Sequence, residues 1–154
     1  MCCHFRDYLN SPRILCVKAD LSGVSFQEFW QDVAGHAACI KQKTTPVWAL
    51  WEQDSYTFLV LFFSVLHAGK KLLLPPHRIR DLEQELAQQQ IYFLSRTEPS
   101  PSLEPIEINV DDQFLKDAKV SFYTSGSTGQ AKKIPRNLMQ LFNEVAGLQA
   151  SFKL

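Results

Sequence analysis

The sequence lacks an excess of charge of either sign, because 16 lysines and arginines balance 16 aspartates and glutamates in 154 residues. This balance excludes a general attraction to nucleic acid or to an anionic membrane, so any binding of phosphate has to be local. The most apolar stretch, residues 56–66, is shorter than the roughly 20 residues of a membrane helix. Residues 1–10 contain no apolar region of a secretory signal. We therefore expect a cytoplasmic protein without a membrane partner.

Metal-ligand spacing is also missing. The four cysteines form no C-x-x-C pair, and no second cluster completes a tetrahedral site, which predicts reduced thiols and no metal ligands in this chain. His36, His67 and His77 have no partner spacing and are interpreted as core or surface residues. With 45% hydrophobic and 21% charged residues, the composition is typical of one folded globular domain.

Hydrophobic periodicity predicts that strands and helices alternate along the chain. Strands are expected at 13–17, 46–51, 71–74, 91–94 and 120–123, with an exposed edge strand at 106–110. Helices are expected at 25–40, where Ser25 and Glu28 form a capping box, at 55–67, at 78–90, and after Pro135. The last helix is marked by Leu138, Leu141, Phe142, Val145 and Leu148. This order predicts an α/β fold with an open, mostly parallel sheet and helices on both faces.

One segment has a composition that packing does not explain. Residues 123–133 read Tyr-Thr-Ser-Gly-Ser-Thr-Gly-Gln-Ala-Lys-Lys. Glycines allow the backbone to approach a ligand closely, the hydroxyls donate hydrogen bonds, and the lysines supply positive charge. A strand before the segment and helical spacing from about Arg136 predict that it bridges a strand and a helix, the usual seat of an anion site. A solvated turn without a ligand is the alternative.

Two common phosphate loops do not fit this segment. A Walker A loop needs glycine at the position of Ala131 and a hydroxyl residue after the lysine, where Lys133 stands. The dinucleotide fingerprint G-x-G-x-x-G fails because Gly126 and Gly129 have no third glycine in register.

The segment closely resembles the phosphate-binding signature of the AMP-forming adenylating enzymes, which include acyl-CoA synthetases, peptide-synthetase adenylation domains and firefly luciferase. The family pattern is Tyr/Phe-Thr-Ser-Gly-Ser/Thr-Thr-Gly-x-Pro-Lys-Gly. Residues 123–129 match it at every position, and Lys132 falls on the family's lysine. Ala131 and Lys133 replace the usual proline and glycine. Residues 25–29, 46–74 and 112–122 carry a weaker resemblance.

The resemblance implies an ATP site and a catalytic cation. Lys132 would be that cation, and Mg²⁺ would share in neutralising the phosphates. The residues that would hold the phosphates are Thr124, Ser125, Gly126, Ser127, Thr128, Gly129 and Lys132.

In the family, a carboxylic acid attacks the α-phosphate of ATP to give an acyl-adenylate, and the thiol of CoA or of a carrier protein then takes the acyl group. Family members are several times longer, and their adenine site, metal ligands and lid lie downstream of the loop. We therefore expect residues 1–154 to be the N-terminal part of an AMP-binding domain, without the lid and inactive alone, whose acid substrate stays open.

The alternative is a non-catalytic phosphate-binding or interaction module that completes its sheet with another chain. An exposed sheet edge also predicts self-association.

Overall fold

A computed structural model describes residues 13–17, 22–75, 84, 86–94, 104–124 and 132–152. Their strands are β1 (Ile14–Val17), β2 (Gly23–Ser25), β3 (Val47–Leu50), β4 (Lys71–Leu74), β5 (Tyr92–Leu94), β6 (Lys119–Thr124) and β7 (Lys132–Asn137). Their helices are α1 (Phe26–Lys41), α2 (Ser55–His67), α3 (Asp112–Asp117) and α4 (Leu138–Phe152), and residues 84 and 86–88 are also helical. None of the helices in these ranges is long and apolar enough to cross a membrane.

The main sheet has five strands in the order β5-β3-β4-β6-β7. β3 pairs in parallel with β4 and β5, and β4 pairs in parallel with β6. β7 is antiparallel to β6. β1 and β2 form a separate antiparallel pair. The prediction of an α/β fold with a mostly parallel sheet is therefore confirmed, and the β3-α2-β4 unit has its predicted parallel strands.

Local hydrogen bonds explain where the first two helices begin. The Ser25 backbone N–H donates to Glu28 Oε2 at 2.7 Å, and the Glu28 N–H donates to Ser25 Oγ at 3.2 Å, which is the predicted capping box. Asp54 caps α2 by accepting the Thr57 N–H at 2.8 Å. The two helices then pack together, and the buried Ser64 hydroxyl donates to the Val33 carbonyl at 3.1 Å across their interface.

The two faces of the sheet carry separate cores. On one face, Trp48, Leu50, Leu72 and Val120 pack with α1 and α2 in a large apolar cluster, which we call the helix-side core. On the opposite face, Ala49 and Leu73 pack with Leu86 and Ile91. The helical residues at 86–88 therefore cover the face opposite α2, as expected for helices on both faces. The rest of the helix predicted at 78–90 lies mostly outside the described residues.

The edge strand predicted at residues 106–110 is wrong. These residues have no regular secondary structure and join neither described sheet. Val110 is buried and Ile108 packs against the helix-side core, so the alternation reflects packing of every second side chain without a strand partner. The edge strands of the main sheet are β5 and β7. Two short elements were not expected: β2, and α3, which begins where Asp111 accepts the Phe114 N–H at 2.7 Å.

Two described residues have a left-handed backbone conformation, and substitutions at these positions test the assigned backbone geometry. Gln90, with φ 58°, ends the helical segment 86–88, and Gly69, with φ 73°, follows α2. Gln90→Gly is expected to raise the free energy of unfolding by about 0.5–1 kcal/mol because glycine adopts this conformation without strain. Gly69→Ala is expected to lower it by about 1 kcal/mol through backbone strain alone, since nothing lies within 4 Å of an added Cβ. Urea denaturation measures both changes, and destabilisation by Gln90→Gly would contradict the assignment.

Candidate phosphate-binding site

The structure places the two ends of the predicted phosphate loop side by side. Thr124 is the last residue of β6, Lys132 is the first residue of β7, and the two are paired in the ladder. Because β6 is parallel to β4, this pair lies at the edge where the parallel strands have their carboxyl ends. Open α/β sheets bind ligands at that edge. The other predicted phosphate-binding residues, Ser125, Gly126, Ser127, Thr128 and Gly129, lie outside the described residues.

The prediction that this segment bridges a strand and a helix is wrong. β7 follows it and pairs with β6 over six positions, from Thr124↔Lys132 to Lys119↔Asn137. Pro135 lies in β7, where an edge strand tolerates the missing N–H. The helix begins only at Leu138, after a reciprocal cap between Asn137 and Gln140. Each backbone N–H donates to the other residue's side-chain oxygen at 2.9 Å. This N-x-x-Q spacing is the sequence signal that would have set the helix start.

The two consecutive lysines lie on opposite faces of β7. Lys133 is paired with Tyr123, and its Nζ lies 5.7 Å from the centroid of the Tyr123 ring. That ring packs with the cluster of Ala49, Leu73 and Leu86. Strand alternation therefore places Lys132 on the other face, which is the face of the helix-side core. Both lysines are exposed.

The connections that follow β3 and β4 lie on opposite faces of the sheet. After β3 the chain enters α2 on one face, whereas after β4 it reaches the helical residues 86–88 on the opposite face. Neighbouring strands whose connections leave in opposite directions open a crevice at their carboxyl ends. Thr124 lies on β6, the next strand after β4, and Lys132 lies on β7, the strand after that.

The acidic side chains after β3 are engaged with their own backbone. Glu52 Oε1 accepts the N–H groups of Gln53 at 2.8 Å and Asp54 at 3.1 Å, while Asp54 caps α2. Within the described ranges, no group of three His, Cys, Asp or Glu residues is arranged to hold a metal ion. The expectation of Mg²⁺ ligands downstream of this segment stays a prediction.

One groove among the described residues lies at the other edge of the sheet. It has a volume of about 500 Å³ and is lined by residues 44–46, 87 and 90–92, next to the amino ends of β3 and β5. Its lining contains no charged side chain, so it has no cation to attract phosphate. We therefore assign the candidate site to the carboxyl edge of the sheet, which contains Thr124 and Lys132, rather than to this groove.

Comparison with protein-family models and with curated proteins finds no match to this chain. The resemblance of residues 123–129 and Lys132 to the adenylating enzymes therefore stays a prediction from the sequence.

The described histidines lie away from the site. His67 ends α2 at the amino edge of the sheet, where its ring stacks on Phe114 with centroids 4.1 Å apart. Its Nε2 is buried without a hydrogen-bond partner, and burial lowers the His67 pKa from 6.5 to about 4. Burial also lowers the pKa of His36, against an opposing attraction by Asp32. His67 is therefore a neutral core residue, whereas His77 lies outside the described residues.

This burial predicts a pH dependence of stability. Between pH 6.5 and about 4 the unfolded state binds a proton that native His67 does not, so the free energy of unfolding falls as the pH is lowered through this window. The full loss attributable to His67 is about 3 kcal/mol. His67→Phe keeps a ring against Phe114 and removes the titration, so it should flatten this part of the curve. Urea denaturation across the window measures both proteins, and parallel curves would contradict the prediction.

Proposed function

We propose that residues 124–132 bind the phosphates of ATP as part of an AMP-forming acid:thiol ligase. The observation that carries the proposal is the pairing of Thr124 with Lys132 at the carboxyl edge of a mostly parallel sheet, with Thr124 on the strand next to β4. The intervening residues have the hydroxyls and glycines that a phosphate cradle needs.

The chemistry assigns a role to the charge of Lys132. When a carboxylate attacks the α-phosphate, the bond to pyrophosphate breaks, and negative charge increases on the leaving group. Hydrogen-bond donors and a cation that are already in place stabilise this charge in the transition state. Lys132 supplies the cation, and the backbone N–H and hydroxyl groups of residues 124–129 supply the donors. Mg²⁺ bound to ATP shares in neutralising the phosphates.

A second function has support from the last helix. Val145, Leu148 and Phe152 of α4 are 50%, 55% and 68% exposed. Apolar side chains grouped on one helix face are typical of interaction surfaces. A non-catalytic phosphate-binding or interaction module therefore stands as the alternative to the ligase.

Binding of pyrophosphate tests the site directly. Lys132→Ala is expected to weaken the affinity of the 154-residue chain for inorganic pyrophosphate about 10-fold or more, because a charge-assisted contact is lost. Lys119→Ala is the matched control: Lys119 is an exposed lysine at the opposite end of the same hairpin, and its removal should change affinity less than about 2-fold. Titration calorimetry measures both variants. Equal losses of pyrophosphate affinity in the two variants would contradict the assignment of Lys132 as the phosphate-binding cation.

Exchange of labelled pyrophosphate into ATP separates the ligase from the alternative. In the full-length protein, exchange should depend on a carboxylic acid from a panel of fatty, aryl and amino acids. Lys132→Ala should lower the exchange rate about 100-fold while the free energy of unfolding changes by less than about 0.5 kcal/mol. Pyrophosphate binding without exchange for any acid would support the non-catalytic module, and exchange unchanged in the variant would contradict the proposal.

A further inference from the structure

Lys133 stands where the adenylating-enzyme pattern has glycine, and it makes a specific contact. Its ammonium group lies over the ring of Tyr123, its direct partner in the ladder, at 5.7 Å from the ring centroid. We propose that Lys133 is a positioning residue, which acts through Tyr123 to hold the loop end of the hairpin and so keeps Lys132 on the helix side of the sheet. This inference rests on the proposed phosphate site.

The Tyr123 ring is a fixed support for this contact. It packs with the cluster of Ala49, Leu73, Leu86 and Ile91 on the sheet face opposite α2. Lys133 itself belongs to the outer strand of the sheet and is exposed. The contact therefore ties the loop end of an edge strand to a ring that the sheet core already holds in place. A cation over an aromatic ring at an exposed site shifts such an equilibrium by about 2- to 5-fold.

The consecutive lysines explain why a positioning contact matters here. A slip of one residue between β6 and β7 would move every β7 side chain to the opposite face. Lys133 would then be paired with Thr124, and Lys132 would leave the helix side of the sheet. In the observed register, Lys133 lies on Tyr123 and Ile134 is paired with Phe122. The cation–ring contact favours this register at the second pair from the loop, one position nearer the loop than the apolar pair of Phe122 and Ile134.

A double-mutant cycle tests the inference on the 154-residue chain with inorganic pyrophosphate as the probe. Lys133→Met and Tyr123→Leu should each weaken affinity about 2- to 5-fold, and the double variant should be no weaker than the weaker single variant. Lys133→Arg and Tyr123→Phe keep the cation and the ring, and each should stay within about 2-fold of the wild type. Circular dichroism confirms that each variant is folded.

The Lys132→Ala background separates positioning from direct binding. If Lys133 acts only by placing Lys132, Lys133→Met has no further effect on pyrophosphate affinity once Lys132 is alanine. If Lys133→Met weakens pyrophosphate affinity further in the Lys132→Ala background, Lys133 contacts the phosphate directly, and the inference is overturned. Unchanged affinity in both Lys133→Met and Tyr123→Leu would also overturn it. Failure of the wild-type chain to bind pyrophosphate would instead contradict the proposed phosphate site.

Discussion

The parallel pairing of β4 with β6 is the constraint on which the candidate site depends. Through it, a hairpin from the second half of the chain is joined to the βαβ unit of the first half, with Leu72, Leu73 and Leu74 opposite Val120, Ser121 and Phe122. Leu72 and Val120 are almost fully buried in the helix-side core. The direction of β6 is therefore fixed by burial as well as by hydrogen bonds, and that direction brings Thr124 to the carboxyl edge, where open α/β sheets in general bind ligands.

The two cores differ in size, and the smaller one is the core that contacts Tyr123 of the hairpin. The helix-side core includes an aromatic group in which Phe29, Trp30 and Phe63 meet edge to face, with centroids 4.8–6.0 Å apart. The opposite core is built on Ala49, Leu73, Leu86 and Ile91 among the described residues, with Tyr123 at its border. A half-buried tyrosine there presents ring surface to solvent, and the Lys133 side chain covers part of it. The lysine thus has a packing role as well as an electrostatic one.

The sequence predicted best those elements whose signals are local. The capping box at Ser25, the apolar run of α2 and the short strands after helix stops all indicate their elements without reference to distant residues. β7 was missed because Lys-Lys-Ile-Pro-Arg contains a proline and adjoins a helix, and its pairing with β6 is a tertiary fact. The strand predicted at residues 106–110 was wrong for the opposite reason. The alternation of apolar and polar residues is real, but a strand also needs a neighbour with free hydrogen-bonding groups. For the candidate site, the sequence motif predicted which residue types are present. The positions of Thr124 and Lys132 became known only from their pairing in the sheet.

The presence of β7 changes the electrostatics of the candidate site. Had a helix followed the loop, its N-terminal dipole would have faced the phosphates. Because β7 runs back along the sheet, α4 begins at the far edge, where Asn137 and Gln140 satisfy each other's backbone N–H groups. α2 does begin at the carboxyl edge of the sheet, but the Asp54 carboxylate already accepts a hydrogen bond from the first turn of that helix. Neither of these helix starts therefore brings positive charge to the proposed site. In the proposal, Lys132 would supply that charge only while the hairpin keeps its register.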